Sequence, residues 1–146
     1  MPDKLEALKK IDIFKSFPDK TLEQLVEHCQ EVHLKDEEVL CHEGTVEAKM
    51  YVILSGKLLI YKLKKNIDTA GPGEYLGEMS LIDSQSRSAS VRGIGSVTLL
   101  EIDEEDFKKF ILPEPQALFS MMKTLTQRTR NHLNTITSEH QKLHCL

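Results

Sequence analysis

Glycine is confined to one stretch of this chain. All seven glycines lie between Gly44 and Gly95, and the first 43 and last 51 residues contain none. Glycine punctuates turns and costs a helix interior roughly 1 kcal/mol. The distribution therefore predicts a turn-rich β segment between two helical ends.

The residue patterns on either side agree. Leu22, Leu25, Val26 and Cys29 recur at i, i+3, i+4 and i+7, an apolar stripe on a helix beginning near Pro18. From Val32 the period shortens. Short alternating or β-branched runs follow at 33–35, 39–41, 50–54, 57–64, 88–92 and 97–102. Turn signals separate them at Glu43-Gly44, Ser55-Gly56, Gly71-Pro72-Gly73 and Gly93-Ile94-Gly95. Asp103 then reads as an N-cap, with Glu104, Glu105 and Asp106 in the first turn. Phe107, Phe110 and Ile111 are expected to pack this short helix on the sheet, Pro113 and Pro115 to break it, and a long helix to start near Gln116. The expected fold class is α+β, mainly β: a β-roll or jelly-roll of about seven to eight short strands, flanked by N-terminal helices and a long C-terminal helix. One domain is expected over 1–146, with helices over about 3–30, the roll over about 32–102 and the C-terminal helices over about 103–146.

Composition narrows the function classes. At 146 residues and 40% hydrophobic, the chain can build a core without disulfides or metals. A formal charge of −4 argues against direct nucleic-acid binding, which needs clustered excess base. The longest apolar run, Met50-Tyr51-Val52-Ile53-Leu54, is far too short to span a bilayer, so no membrane partner is expected. Met1-Pro2-Asp3-Lys4 offers no apolar signal-peptide stretch. Cys29, Cys41 and Cys145 are an odd count at unrelated spacings, which suits free thiols and a cytoplasmic location. Cys145 is also misplaced for a prenylation box.

The chemistry is concentrated between Gly71 and Val91. Gly71-Pro72-Gly73 makes a tight turn, Gly77 admits close backbone approach, and 78–82 is long enough for one helical turn. A polar loop leads to Arg87, Ser88 and Ala89 at the start of the next strand. A helix start after glycine presents unpaired N–H groups, which suit a phosphate. Arg87 would add a permanent, bidentate cation and Ser88 a hydroxyl. The Glu78 carboxylate would repel phosphate but can accept from a sugar hydroxyl. Taken alone, Glu78 and Arg87 would read as a surface ion pair.

These residues resemble the phosphate-binding cassette of the cyclic nucleotide-binding domain family, the sensor domain type of the catabolite activator protein, protein kinase A regulatory subunits and nucleotide-gated channels. Ile13-Phe14, Glu43-Gly44, Tyr51-Val52-Ile53-Leu54-Ser55-Gly56 and Glu101-Ile102-Asp103 extend the resemblance over about residues 5–135. It implies a regulatory sensor that is not an enzyme and needs no cofactor. Its ligand would be cAMP or cGMP, and cAMP is taken first because Ser88 does not decide between them. It places Gly77, Glu78, Met79, Ser80, Arg87, Ser88 and Ala89 at the ligand, with Glu78 on the ribose 2′-hydroxyl and Arg87 on the cyclic phosphate. Backbone N–H groups of Glu78, Met79 and Ser88 would face the same phosphate. Arg128, Asn131 and His132, on the C-terminal helix, become candidates for the base edge. Departures from the pattern are a short hairpin over 64–70, Ser86 before the arginine, Ser16, and Asp36 before the acidic turn.

Other readings carry less. Leu118, Met122, Leu125, Thr129, His132, Ile136 and Leu143 approximate a 4-3 repeat, so the last helix is expected to act as lid and homodimer seam. The effector is not legible. His28, Cys29, His33, Cys41 and His42, or His140, His144 and Cys145, lack the paired short spacing of a zinc site, and no metal is expected. A cupin-type enzyme would need a His-x-His pair, which the chain lacks. A ligand-free scaffold or dimerisation module with the same fold is the remaining alternative.

Overall fold

Pro18 sits immediately before the first long helix, where its missing N–H costs nothing and its carbonyl accepts from Thr21 and Leu22. That helix, α2, spans Asp19–His28; ahead of it lie α1, Lys4–Lys9, and a 3-10 turn, Asp12–Phe14. The structure, a computed structural model, describes residues 4–78, 81, 87 and 89–144, with side chains of the C-terminal helix described through Asn131 and at Leu133. Leu22 and Leu25 are fully buried, as the helical stripe requires.

Six strands follow among the described residues: β1 Gln30–Leu34, β2 Val39–Cys41, β3 Lys49–Lys62, β4 Lys65–Ala70, β5 Tyr75–Leu76 and β6 Ser90–Asp103. All pairings are antiparallel, in the order β1-β6-β3-β4, with β2 also on β6 and β5 also on β3. The β-roll with flanking helices is as expected, but the strand boundaries are not. The runs 50–54 and 57–64 are one strand, and so are most of 88–92 and 97–102. Ser55-Gly56 is not a turn but a pair of register shifts inside the β3–β6 ladder. Gly56 has φ +87°, and a Cβ there would collide with the backbone of Ser96 and Val97. The glycines at both places bend long strands instead of ending them. Asp36, in place of a glycine, accepts a 2.7 Å hydrogen bond from the Gly95 amide at the β6 bend.

The segment 64–70, expected to be a hairpin loop, is mostly strand. Lys62 pairs with Lys65 across a two-residue turn, and β4 is exposed except at Ala70. Its polar sequence gives no alternation because, as an exposed edge strand, it is held mainly by backbone pairing.

Alternate residues of β3 and β6 feed two separate cores. Met50, Val52, Leu100 and Ile102 face the helices, joining Leu8, Phe14, Leu22, Leu25 and Phe110. Tyr51, Ile53, Val97 and Leu99 face inward with Leu34, Cys41, Leu58 and Ala70. Period-2 alternation across a doubly covered sheet produces this division.

Asp103 caps the next helical turn, α3 (Glu104–Asp106), by accepting from the Asp106 amide at 2.8 Å. The chain then widens into a π-helical turn, Phe107–Ile111, burying Phe107, Phe110 and Ile111. The final helix, α4, spans Pro115–His144. It rests on the domain through Ala117, Met121, Thr124 and Arg128, while Phe119, Met122, Thr126, Thr129 and Leu133 are exposed. The expected seam is thus divided: Leu118 and Leu125 are half-buried, Met122 and Thr129 exposed, and the side chains of His132, Ile136 and Leu143 lie outside the described residues.

Candidate functional site

Three side chains among the described residues are both polar and buried: Glu78, Arg87 and Ser90, at 2%, 7% and 8% exposure. All three fall between the end of β5 and the start of β6. Burying a polar group without recompense is costly, so their concentration in one segment marks a candidate site.

Local sequence explains how they arrive there. β5 pairs with Tyr51 and Val52, turning Tyr75 toward the helices and Leu76 toward the inner core. Gly77 then takes φ +88°, a conformation that L side chains rarely adopt. A Cβ at that position would collide with the Arg87 guanidinium and the Lys49 carbonyl. Glu78 and Leu81 are both helical, and Leu81 is anchored in the helix-side core at 7% exposure. Arg87 is fixed from the other direction. Its amide donates to the Thr45 carbonyl at 2.8 Å, and its carbonyl accepts from the Gly44 amide at 2.9 Å. Ser90 Oγ accepts from the Glu43 amide at 2.9 Å, so the Glu43-Gly44 turn is the clasp for the arginine strand.

The Arg87 guanidinium donates to the Lys49 carbonyl at 2.6 Å. Its Nε is buried with no hydrogen-bond partner, and it makes no ion pair, among the described residues. A buried cation held by one carbonyl retains donors for an anion. Glu78 does not pair with Arg87. Its Oε1 accepts from Arg128 Nη1 at 2.8 Å, while Arg128 Nη2 donates to the Tyr75 carbonyl at 3.3 Å and the guanidinium lies 5.7 Å from the Tyr75 ring centroid. This pair joins α4 to the segment after β5.

Of the other expected site residues, Ala89 is half-buried beside Arg87; Met79, Ser80, Ser86 and Ser88 lie outside the described residues. Asn131 is exposed and accepts from Gln127 at 3.1 Å, three positions beyond Arg128. His132 is on the helix, with its side chain outside the description. Sequence reasoning missed the Lys49 carbonyl, a backbone acceptor that no side-chain pattern can announce.

Burial pushes the Cys41 thiol up, and the nearby Arg87 cation pulls the other way. The Cys29 thiol is also pushed up, first by burial and then by the Asp106 carboxylate, whose Oδ2 is 3.8 Å from the sulfur. His28 packs its ring on Phe110 at 5.5 Å, and His33 is exposed. These candidate metal ligands point to separate neighbours. Among the described residues no cluster of His, Cys, Asp or Glu is arranged to hold a metal, and no helix is long and apolar enough to cross a membrane.

A groove of about 830 Å³ opens elsewhere, lined by Asp12, Lys15, Phe119, Ser120, Lys123 and Arg128 among others. Its lining does not include Arg87 or Glu78, and it lies open to solvent, though Arg128 reaches from it to Glu78. The buried polar side chains mark the candidate site.

Comparisons with known proteins bear on the family of the chain. The chain is 25% identical over 130 residues to a cAMP-dependent protein kinase regulatory subunit from Dictyostelium discoideum, covering 84% of this chain and 40% of that protein. It is 32% identical over 112 residues to a cGMP-dependent protein kinase from Plasmodium berghei (strain Anka), covering 75% of this chain but 13% of that protein. The chain thus spans less than half the length of either relative. The crystal structure of the Thermus thermophilus catabolite activator protein superposes with a TM-score of 0.75 at 24% identity, covering 86% of this chain and 61% of that one. A profile described as the cyclic nucleotide-binding domain matches residues 31–113, which include all of β2 to β6 and all but the first residue of β1, together with Gly77, Glu78 and Arg87. By that match, this chain belongs to the cyclic nucleotide-binding domain family.

Proposed function

We propose that the chain is a regulatory sensor that binds cAMP in preference to cGMP, with Arg87 on the cyclic phosphate and Glu78 on the ribose 2′-hydroxyl. The single observation carrying this reading is the buried Arg87 guanidinium, held by one carbonyl and lacking a carboxylate partner among the described residues. Ionised groups are rarely buried unpaired; a phosphodiester anion would complete the pair. Glu78 keeps acceptor capacity beside Arg128, because a carboxylate has about four lone-pair directions and the guanidinium takes one. Arg128 orients that carboxylate and ties α4 to the ligand, the lid role expected for this helix. The Gly77–Ala89 segment, with Met79, Ser80 and Ser88, would supply the remaining donors. Binding proceeds without turnover, residues 1–146 act as one domain, and free Cys29 and Cys41 suit a cytoplasmic setting.

Calorimetric titration with cAMP, cGMP and 2′-deoxy-cAMP tests the reading. cAMP should bind most tightly, and the 2′-deoxy form more weakly. No heat with any of the three would leave the scaffold alternative in its place.

A specific observation also favours a homodimer. Phe119, Met122 and Leu133 are 60%, 63% and 55% exposed and, with Thr126 and Thr129, follow a 3-4 spacing along the solvent side of α4. Light scattering of the whole chain should report a dimer; a monomer at hundreds of micromolar, with and without cAMP, would exclude this seam.

A further inference from the structure

The β3–β4 hairpin presents two aliphatic side chains to solvent at irregular backbone. Leu63, in the two-residue turn, is 84% exposed and sits at φ +55°, a left-handed conformation disfavoured for a residue other than glycine, asparagine or aspartate. Ile67, 53% exposed, is the extra residue where the pairing shifts between Ile60–Asp68 and Tyr61–Asn66, a β-bulge. Lysines surround them. Three of them, Lys62, Lys64 and Lys65, lie within two residues of Leu63, while Asp68 adjoins Ile67, in a chain whose net charge is −4. Lys62 pairs with Glu43 at 3.4 Å; Lys64 and Lys65 make no ion pair among the described residues.

We propose that this hairpin tip docks on an anionic lipid surface, with Leu63 as an apolar wedge and Lys62, Lys64 and Lys65 at the headgroups. Size favours a bilayer over a protein partner. A stable protein interface needs about 800 Å² per side, which one leucine and one isoleucine on a narrow ribbon do not provide. A bilayer needs only a small apolar insertion supported by cations, each contributing about fivefold. This would be a reversible surface contact, in contrast to the absence of a membrane partner expected from composition.

Co-sedimentation of the whole chain with phosphatidylcholine vesicles, and with vesicles carrying 30% phosphatidylserine, tests the proposal. Binding should require phosphatidylserine and weaken in high salt. Leu63→Asn should lower it about tenfold while holding or raising the thermal midpoint, because asparagine tolerates the left-handed turn. Replacing Lys64 and Lys65 together by alanine should lower it about twenty-fivefold. The proposal is overturned by absence of binding to phosphatidylserine vesicles, or by variants that bind as well as the parent. Retention on soluble polyglutamate that is indifferent to Leu63 would also overturn it, and would point to an acidic protein.

Discussion

The helix-covered face of β3 and β6 and the face turned into the roll are made from alternate residues of the same two strands. On the helix side, Met50, Val52, Leu100 and Ile102 meet Leu8, Phe14, Leu22 and Leu25 in a core that is apolar throughout, apart from the Tyr75 hydroxyl. Inside the roll, the apolar cluster is smaller, and a buried guanidinium is fixed to the Lys49 carbonyl at the start of β3. Both faces are packed, but only the inner one holds the guanidinium proposed to meet the phosphate. A sheet with period-2 side chains can give its two faces different contents without lengthening the chain.

Truncation on the helix side should have the largest effect. Phe14, 1% exposed, packs edge-on against Phe17 with ring centroids 5.3 Å apart. Phe14→Ala is expected to cost about 3–5 kcal/mol of stability, measured by chemical denaturation, while the folded fraction keeps its cAMP affinity. A matching loss of affinity in the folded fraction would show that the two faces are not separable.

Arg87→Ala should do the reverse. Truncating one partner of a desolvated charge pair costs about 2–5 kcal/mol of binding, or roughly thirtyfold to several thousandfold in cAMP affinity. The melting midpoint without nucleotide should not fall, because removing the desolvation cost of a buried cation that lacks a carboxylate offsets the loss of its bond to the Lys49 carbonyl. A loss of affinity below about threefold would place the phosphate elsewhere.

Glu78→Gln should have a smaller effect. A charge-assisted bond to the 2′-hydroxyl is worth about 1.5–3 kcal/mol, so the parent should prefer cAMP to its 2′-deoxy analogue and the variant should lose most of that preference. Equal affinity of the parent for both analogues would remove Glu78 from the ribose.

The smallest effect concerns the two thiols, one in each core. Both are raised in the folded state, so each stabilises while protonated, below the unfolded thiol value near pH 8.5, and that contribution is lost as pH rises beyond it. At Cys29 the Asp106 carboxylate adds to burial, whereas at Cys41 the Arg87 cation opposes it. Thermal midpoints should therefore fall above pH 8.5, and Cys29→Ser should flatten that fall more than Cys41→Ser. The opposite order would mean that Arg87 does not act on the inner thiol.

Much of this was legible in sequence because it depends on neighbours in the chain. The α2 stripe, the Asp103 cap and the Gly77-Glu78 pair followed by Arg87 are local patterns, and each has a local cause: helical period, an oxygen three residues from an amide, or a left-handed glycine. The glycine distribution located the β segment for the same reason. Tertiary structure decided the rest. Whether Gly56 ends a strand or bends one depends on its closeness to Ser96 and Val97, forty residues later. Strand β4 has no apolar alternation to read, because the β3 backbone, not a core, holds it. Out of context, Glu78 and Arg87 would read as a surface ion pair, yet Glu78 bonds to Arg128, fifty residues away, and Arg87 to a carbonyl. Sequence determines which groups must find partners, since burial of an unpaired charge is costly wherever it occurs. Which partner each finds is set by the register of strands and the path of a helix, and those exist only once the chain has folded.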